Sequence, residues 1–184
     1  MTVHRNGSTT RAKGDDAPRG ALSREDWPGL ALAVAFCELA GIVPGIVTRE
    51  DVAALNERET VDPDIAPPGW VVPLVWNVLF ALMGIALYLV WRDAGDTPEG
   101  KVAVGFFSAQ LGLNVAWSFV AFGSRARNTY LVGFAMIVPL LLAVAVTVVA
   151  FARVSLRAAL LLVPYLAWVS FATVLCYRGW RLNR

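Results

Sequence analysis

Residues Trp70 to Trp91 read WVVPLVWNVLFALMGIALYLVW and contain no charged side chain. A helix needs about 20 apolar residues to cross the hydrocarbon of a bilayer, since each residue adds about 1.5 Å. The run meets that length. A strand of an outer-membrane barrel would be about half as long and would alternate in polarity, and this run does neither. Inside lipid the backbone must satisfy its own polar groups, so a helix is the economical reading.

Four further runs flank it. Trp27 to Val47 is interrupted only by Glu38, while Val102 to Phe122, Tyr130 to Phe151 and Ala158 to Tyr177 carry no charge. The fold class that follows is an all-α membrane protein, a bundle of five transmembrane helices over residues 27–184, preceded by a polar tail over residues 1–26. Composition agrees: 57% of the 184 residues are hydrophobic and 16% charged, against about a quarter charged in a soluble domain. The tail is too polar to order itself by burial. No apolar stretch of signal-peptide length follows closely on Met1, so the first span is expected to act as an uncleaved anchor. Short connections after the second, third and fourth spans favour antiparallel neighbours. The first connection, Thr48 to Gly69, is long and acidic: Glu50, Asp51, Glu57, Glu59, Asp62 and Asp64 face only Arg49 and Arg58. A short helix is expected over Arg49 to Arg58, and loops of this length often serve as lids. Nine Lys and Arg on the N-terminal side of the membrane against seven on the other leave orientation open.

Several function classes drop out. A net charge of +2 gives no basis for a nucleic-acid partner. Cys37 and Cys176 each lie in an apolar run without CxxC spacing and read as buried small side chains. The single histidine, His4, lies in the tail, so no histidine is available within the spans. No acid–base pair, nucleophile or metal cluster supports ordinary catalysis. Catalytic residues, metal site and cofactor are therefore all read as none.

The aromatic residues divide by depth. Trp27, Trp70, Trp91, Tyr130, Tyr177 and Trp180 lie near span ends, where interfacial anchoring accounts for them. Trp76, Trp117 and Trp168 lie deeper, and an indole N–H in hydrocarbon wants an acceptor. Gln110, Asn114 and Trp117, spaced i, i+4, i+7, share one face of the third span, beside Ser118. Amides are costly in lipid, so that face points into the bundle. Interhelical hydrogen bonding and ligand contact both explain it. Tyr165 and Trp168 follow Pro164 in the fifth span, and Trp76, Phe80 and Met83 form a stripe on the second. Aromatics converging from three helices, with two amides, suit a flat, mostly apolar ligand with a few polar handles. Glu38 is a carboxyl in mid-span and by default a functional-site hypothesis; Gly41, Pro44 and Gly45 after it should bend the helix. Leu175, Tyr177 and Arg181 fit the loose pattern proposed for cholesterol contact.

Three motifs in order carry a family resemblance. Pro67-Pro68-Gly69-Trp70-Val71-Val72-Pro73-Leu74-Val75-Trp76 resembles the PPxWxxxxxW signature of the tryptophan-rich sensory protein / translocator protein (TspO/MBR) family. Gln110, Leu111, Asn114, Trp117, Ser118, Phe122 and Gly123 resemble its QLxxNxxWSxxFFG stretch. Pro164-Tyr165-Leu166-Ala167-Trp168 through Phe171-Ala172 to Arg181-Leu182-Asn183 resembles its PYxxWxxFA…LN ending. The resemblance covers residues 30 to 183.

It implies a five-helix bundle, often a homodimer, in a bacterial cell membrane, with lipid and a porphyrin or sterol-like small molecule as partners. By motif position Trp76, Asn114 and Trp168 match ligand-binding residues. Gln110, Trp117 and Tyr165 are neighbours, and Pro68 and Trp70 are further candidate contacts. These residues are expected to line one cavity between the second, third and fifth spans, under the Thr48–Gly69 loop. The function implied is a sensor, regulator or transporter of tetrapyrrole-like or sterol-like molecules. Alternatives are a light-dependent porphyrin-degrading enzyme and a membrane scaffold. The sequence departs from the family in the first loop, which lacks the WYxxLxKP-like segment. Phe80, Cys176 and Phe119 stand where Tyr, Asn and Pro are common. Six loop carboxylates should repel porphyrin propionates at close range.

Overall fold

The computed structural model describes residues 22–50, 64–123 and 129–183, with the side chains of 122, 123 and 129 excepted. Among them five helices are long and apolar enough to cross a membrane. They are α1 (Trp27–Val47), α2 (Val71–Ala94), α3 (Pro98–Gly123), α4 (Thr129–Val154) and α5 (Leu156–Leu182). Each expected span is a helix, and the protein is an integral, multi-pass membrane protein. The last four run past the expected ends, α5 by five residues, because charged and aromatic side chains such as Arg178 and Arg181 continue a helix into the interface.

Local chemistry sets the helix starts. Pro28 occupies the first turn of α1, where its missing N–H costs nothing. Thr97 Oγ1 accepts the Gly100 N–H at 3.0 Å before α3, and Ser155 Oγ accepts from Ala158 at 3.5 Å before α5. At α2 the Pro68 carbonyl accepts the Val71 N–H at 2.9 Å.

The last residues of the polar tail lie against the bundle. Arg24–Asp26 form a single 3-10 turn, and Asp26 Oδ2 accepts from the Ser23 N–H at 2.6 Å and from Ser23 Oγ at 3.0 Å. Tyr88 of α2 donates to Asp26 Oδ1 at 2.6 Å, and Arg92 lies 3.7 Å from Asp26 Oδ2. A carboxylate satisfied from two sides holds the entry to α1 against the end of α2. Residues 1–21 of the tail lie outside the described residues, as do residues 51–58 of the short helix expected in the first loop; Arg49 and Glu50 are helical.

The helices surround α2. α4 packs extensively on both α5 and α3, α1 packs on α2 with a lesser contact to α3, and α5 closes on α2. The buried core includes Met83, Phe107, Ile137, Leu140, Phe151 and Leu162. Lipid tails are as apolar as these side chains, so close packing and interhelical hydrogen bonds must hold the helices together. Gly84 shows how close. A Cβ there would stand 2.5 Å from the Val34 Cα and 2.9 Å from the Ala33 carbonyl oxygen of α1.

α1 is the loosely held member. Leu32, Phe36, Leu39, Ile46 and Val47 are all more than half exposed. Pro44 stands inside α1 and cannot donate to the preceding turn. Thr48 Oγ1 and N–H both close on the Pro44 carbonyl, at 2.8 and 2.9 Å. Glu38 is partly exposed and has no hydrogen-bond or ion-pair partner among the described residues.

Two outcomes follow. Reporter domains fused after Arg24 and after Arg184 will report opposite sides of the membrane, as five crossings require; a common side would mean that one helix does not cross. Gly84→Val will force α1 from α2 and lower stability by about 1–3 kcal/mol, read as reduced thermal stability in detergent beside Gly105→Val, where a Cβ meets nothing within 4 Å.

Candidate functional site

Asn114, Gln110 and Tyr165 meet in the middle of the bundle. Asn114 Nδ2 donates to the Tyr165 hydroxyl at 2.9 Å, and that hydroxyl donates to Gln110 Oε1 at 3.0 Å. Gln110 Nε2 points at Met83 Sδ, 3.9 Å away. All three side chains are at most 1% exposed. The face shared by Gln110 and Asn114 does point inward, and there it ties α3 to α5. Trp117 on the same face donates its indole N–H to the Gly133 carbonyl of α4 at 3.2 Å. Each costly polar group thus finds a partner on another helix.

Above this tie lies a cavity of about 630 Å³, within the usual range for small-molecule sites. Its walls come from α1, α2 and α3. Gly41, Gly45 and Ile46 form the α1 side, Trp76, Asn77 and Phe80 the α2 side, and Asn114, Trp117 and Ser118 the α3 side. Arg49 and Gly69, at the two ends of the first loop, mark its mouth. Trp76 is the central ring: its centroid lies 5.6 Å from Phe80, 6.3 Å from Trp117 and 6.1 Å from Tyr165. The Phe80 ring lies against Gly41, where a Cβ would collide with it. Glycine at that position lets α1 approach the aromatic wall.

Polar groups remain unused in this wall. Asn114 Oδ1, the Trp76 indole N–H and the Asn77 amide make no hydrogen bond with the described residues. A mostly apolar wall with a few unspent hydrogen-bonding groups, Asn77 the exposed one among them, can orient a flat ligand while its rings stack.

The residues singled out from the sequence separate into groups. Trp76, Asn114 and Trp117 line the cavity together. Gln110 and Tyr165 lie beneath it as its structural floor. Trp168 does not join them. It lies on a separate, open groove of about 520 Å³ between α2 and α5, with Leu74, Val78, Pro164 and Phe171, its ring 5.5 Å from Phe171. The cavity therefore takes α1, rather than α5, as its third wall, because Tyr165 fills the space between α3 and α5. Pro68 and Trp70 lie beside the mouth but outside the lining, and Trp70 is 73% exposed. Glu38 is also outside it. Sequence reasoning missed Asn77 and Arg49. The signal for Asn77 was present, an amide within an uncharged span directly after Trp76.

A TspO/MBR family model matches residues 33–181. The chain belongs to the TspO/MBR family. It is 40% identical over 154 residues to the tryptophan-rich protein TspO of Chlorobaculum tepidum, covering 84% of this chain and 95% of that one. It is 44% identical over 122 residues to the translocator protein of Homo sapiens, covering 66% and 70%. It is 39% identical over 117 residues to the tryptophan-rich sensory protein of Cereibacter sphaeroides, covering 64% and 70%. The family match spans all five TspO/MBR helices, the unusual first loop included.

Tyr165→Phe will strand Gln110 Oε1 and Asn114 Nδ2 together. The expected loss is about 1–3 kcal/mol, seen as a lower unfolding temperature in detergent. Tyr177→Phe, at the exposed end of α5, should leave it unchanged.

Proposed function

We propose that the cavity between α1, α2 and α3 receives a flat, mostly apolar molecule of the tetrapyrrole class, and that the protein senses or carries such molecules in the membrane. The observation that carries this reading is the aromatic wall of Trp76, Phe80 and Trp117 beside the unspent groups of Asn114 and Asn77. Stacked indoles favour a planar ring system, and hydrogen-bonding groups at one edge fix its rotation. With His4 the only histidine in the chain and outside the spans, a metal-free porphyrin suits the site better than a haem held by an axial imidazole. Family membership supports the sensing or carrying part of this reading, since relatives carry the names translocator protein and tryptophan-rich sensory protein.

The test is titration of purified protein with protoporphyrin, read by the absorbance of the porphyrin itself. Trp76→Phe and Asn114→Ala should each weaken binding by about 1–3 kcal/mol, as for truncated anchors at buried sites. Trp91→Phe, exposed at the far end of α2, should have no effect. Trp168→Phe reports on the outer groove and should match Trp91→Phe. Wild-type protein that binds no porphyrin, or cavity variants no weaker than Trp91→Phe, would overturn the reading.

A further inference from the structure

Arg49 is the one charged side chain in the cavity lining among the described residues. It follows the last turn of α1, at the end of the cavity that meets the first loop, while Gly41 and Phe80 mark the deep end. Arg49 stands eight positions after Gly41; the six of them within α1 span about 9 Å before the turn at Thr48. The cavity is therefore polarised along its length: aromatic and uncharged at depth, cationic at the mouth. Among the described residues no carboxylate lies within ion-pair distance of Arg49, neither Glu50 beside it nor Asp64 across the loop. Guanidinium is the side chain best matched to a carboxylate, offering two parallel N–H donors in a fixed fork. Arg49 is exposed at the mouth, and an ion pair beside an apolar wall is screened less than one in bulk water.

We propose that Arg49 is the anion-binding group of the cavity, selecting planar amphiphiles that carry a carboxylate over uncharged molecules of the same shape. This rests on the ligand reading above and narrows it from a flat apolar molecule to a flat apolar acid. The acidic composition of the first loop then acts against free anions approaching from water, while a ligand already seated in the wall places its acid beside Arg49. The arrangement favours ligands whose apolar body enters first.

The experiment compares protoporphyrin IX with its dimethyl ester, which keeps the ring and removes both charges. Wild-type protein in lipid nanodiscs should bind the diacid at least tenfold more tightly than the diester. Arg49→Gln should lose that preference by weakening the diacid alone, and Arg49→Lys should keep part of it. Unchanged diester binding shows that the variants are folded. Equal binding of diacid and diester by the wild type, or a preference that survives in Arg49→Gln, overturns the role of Arg49 and leaves the ligand reading standing. Failure of both compounds to bind the wild type overturns the ligand reading and this inference with it.

Discussion

A polar side chain inside a bilayer must find its partner within the protein, and the Gln110–Tyr165–Asn114 chain is where this bundle meets that demand. One tyrosine hydroxyl, accepting at 2.9 Å and donating at 3.0 Å, fixes the rotation of α3 and the distance from α3 to α5. Hydrogen bonds between membrane helices average about 0.6 kcal/mol each, so the energy of the pair is modest. Its alternative, two amides open to hydrocarbon, costs more than the pair supplies, and this asymmetry makes the arrangement specific. With α3 so oriented, Trp117 reaches the Gly133 carbonyl and Asn114 keeps one acceptor toward the space beside α1.

That space exists because the bundle is uneven. α4 and α5 pack tightly on each other, whereas α1 meets the rest mostly through α2. The contact is close at Gly84 and falls away toward Gly45, where a Cβ would meet nothing within 4 Å. Glycine serves two opposite ends in the same pair of helices, close approach at one level and open volume at another. Pro44 lies at the transition, and its missing N–H removes one hydrogen bond from the part of α1 that walls the cavity.

The five helices were legible in the sequence because lipid imposes a length and forbids charge, and runs such as Trp70–Trp91 satisfy both without help from tertiary contacts. The inward face of α3 was legible for the same reason, through Gln110 and Asn114. What periodicity does not give is depth or which neighbour fills a gap. Tyr165 and Trp168 are three residues apart on one helix, yet the first is fully buried between α3 and α5 and the second faces an outer groove. That separation moved the cavity from the α5 side to the α1 side. Arg49 was read only as one charge in an acidic loop, because a sequence does not say which loop residue closes over a cavity. Asp26 was assigned to the tail by composition, and only the fold brings it to Tyr88.

The central claim is that the space between α1, α2 and α3 is the ligand site, and filling it tests that most directly. Gly45 lines the cavity and Gly105 stands on the exposed face of α3, and a Cβ at either meets open space. Protoporphyrin binding should be lost in Gly45→Phe and unchanged in Gly105→Phe, with both variants as stable as the wild type. Undiminished binding by a stably folded Gly45→Phe would contradict the account.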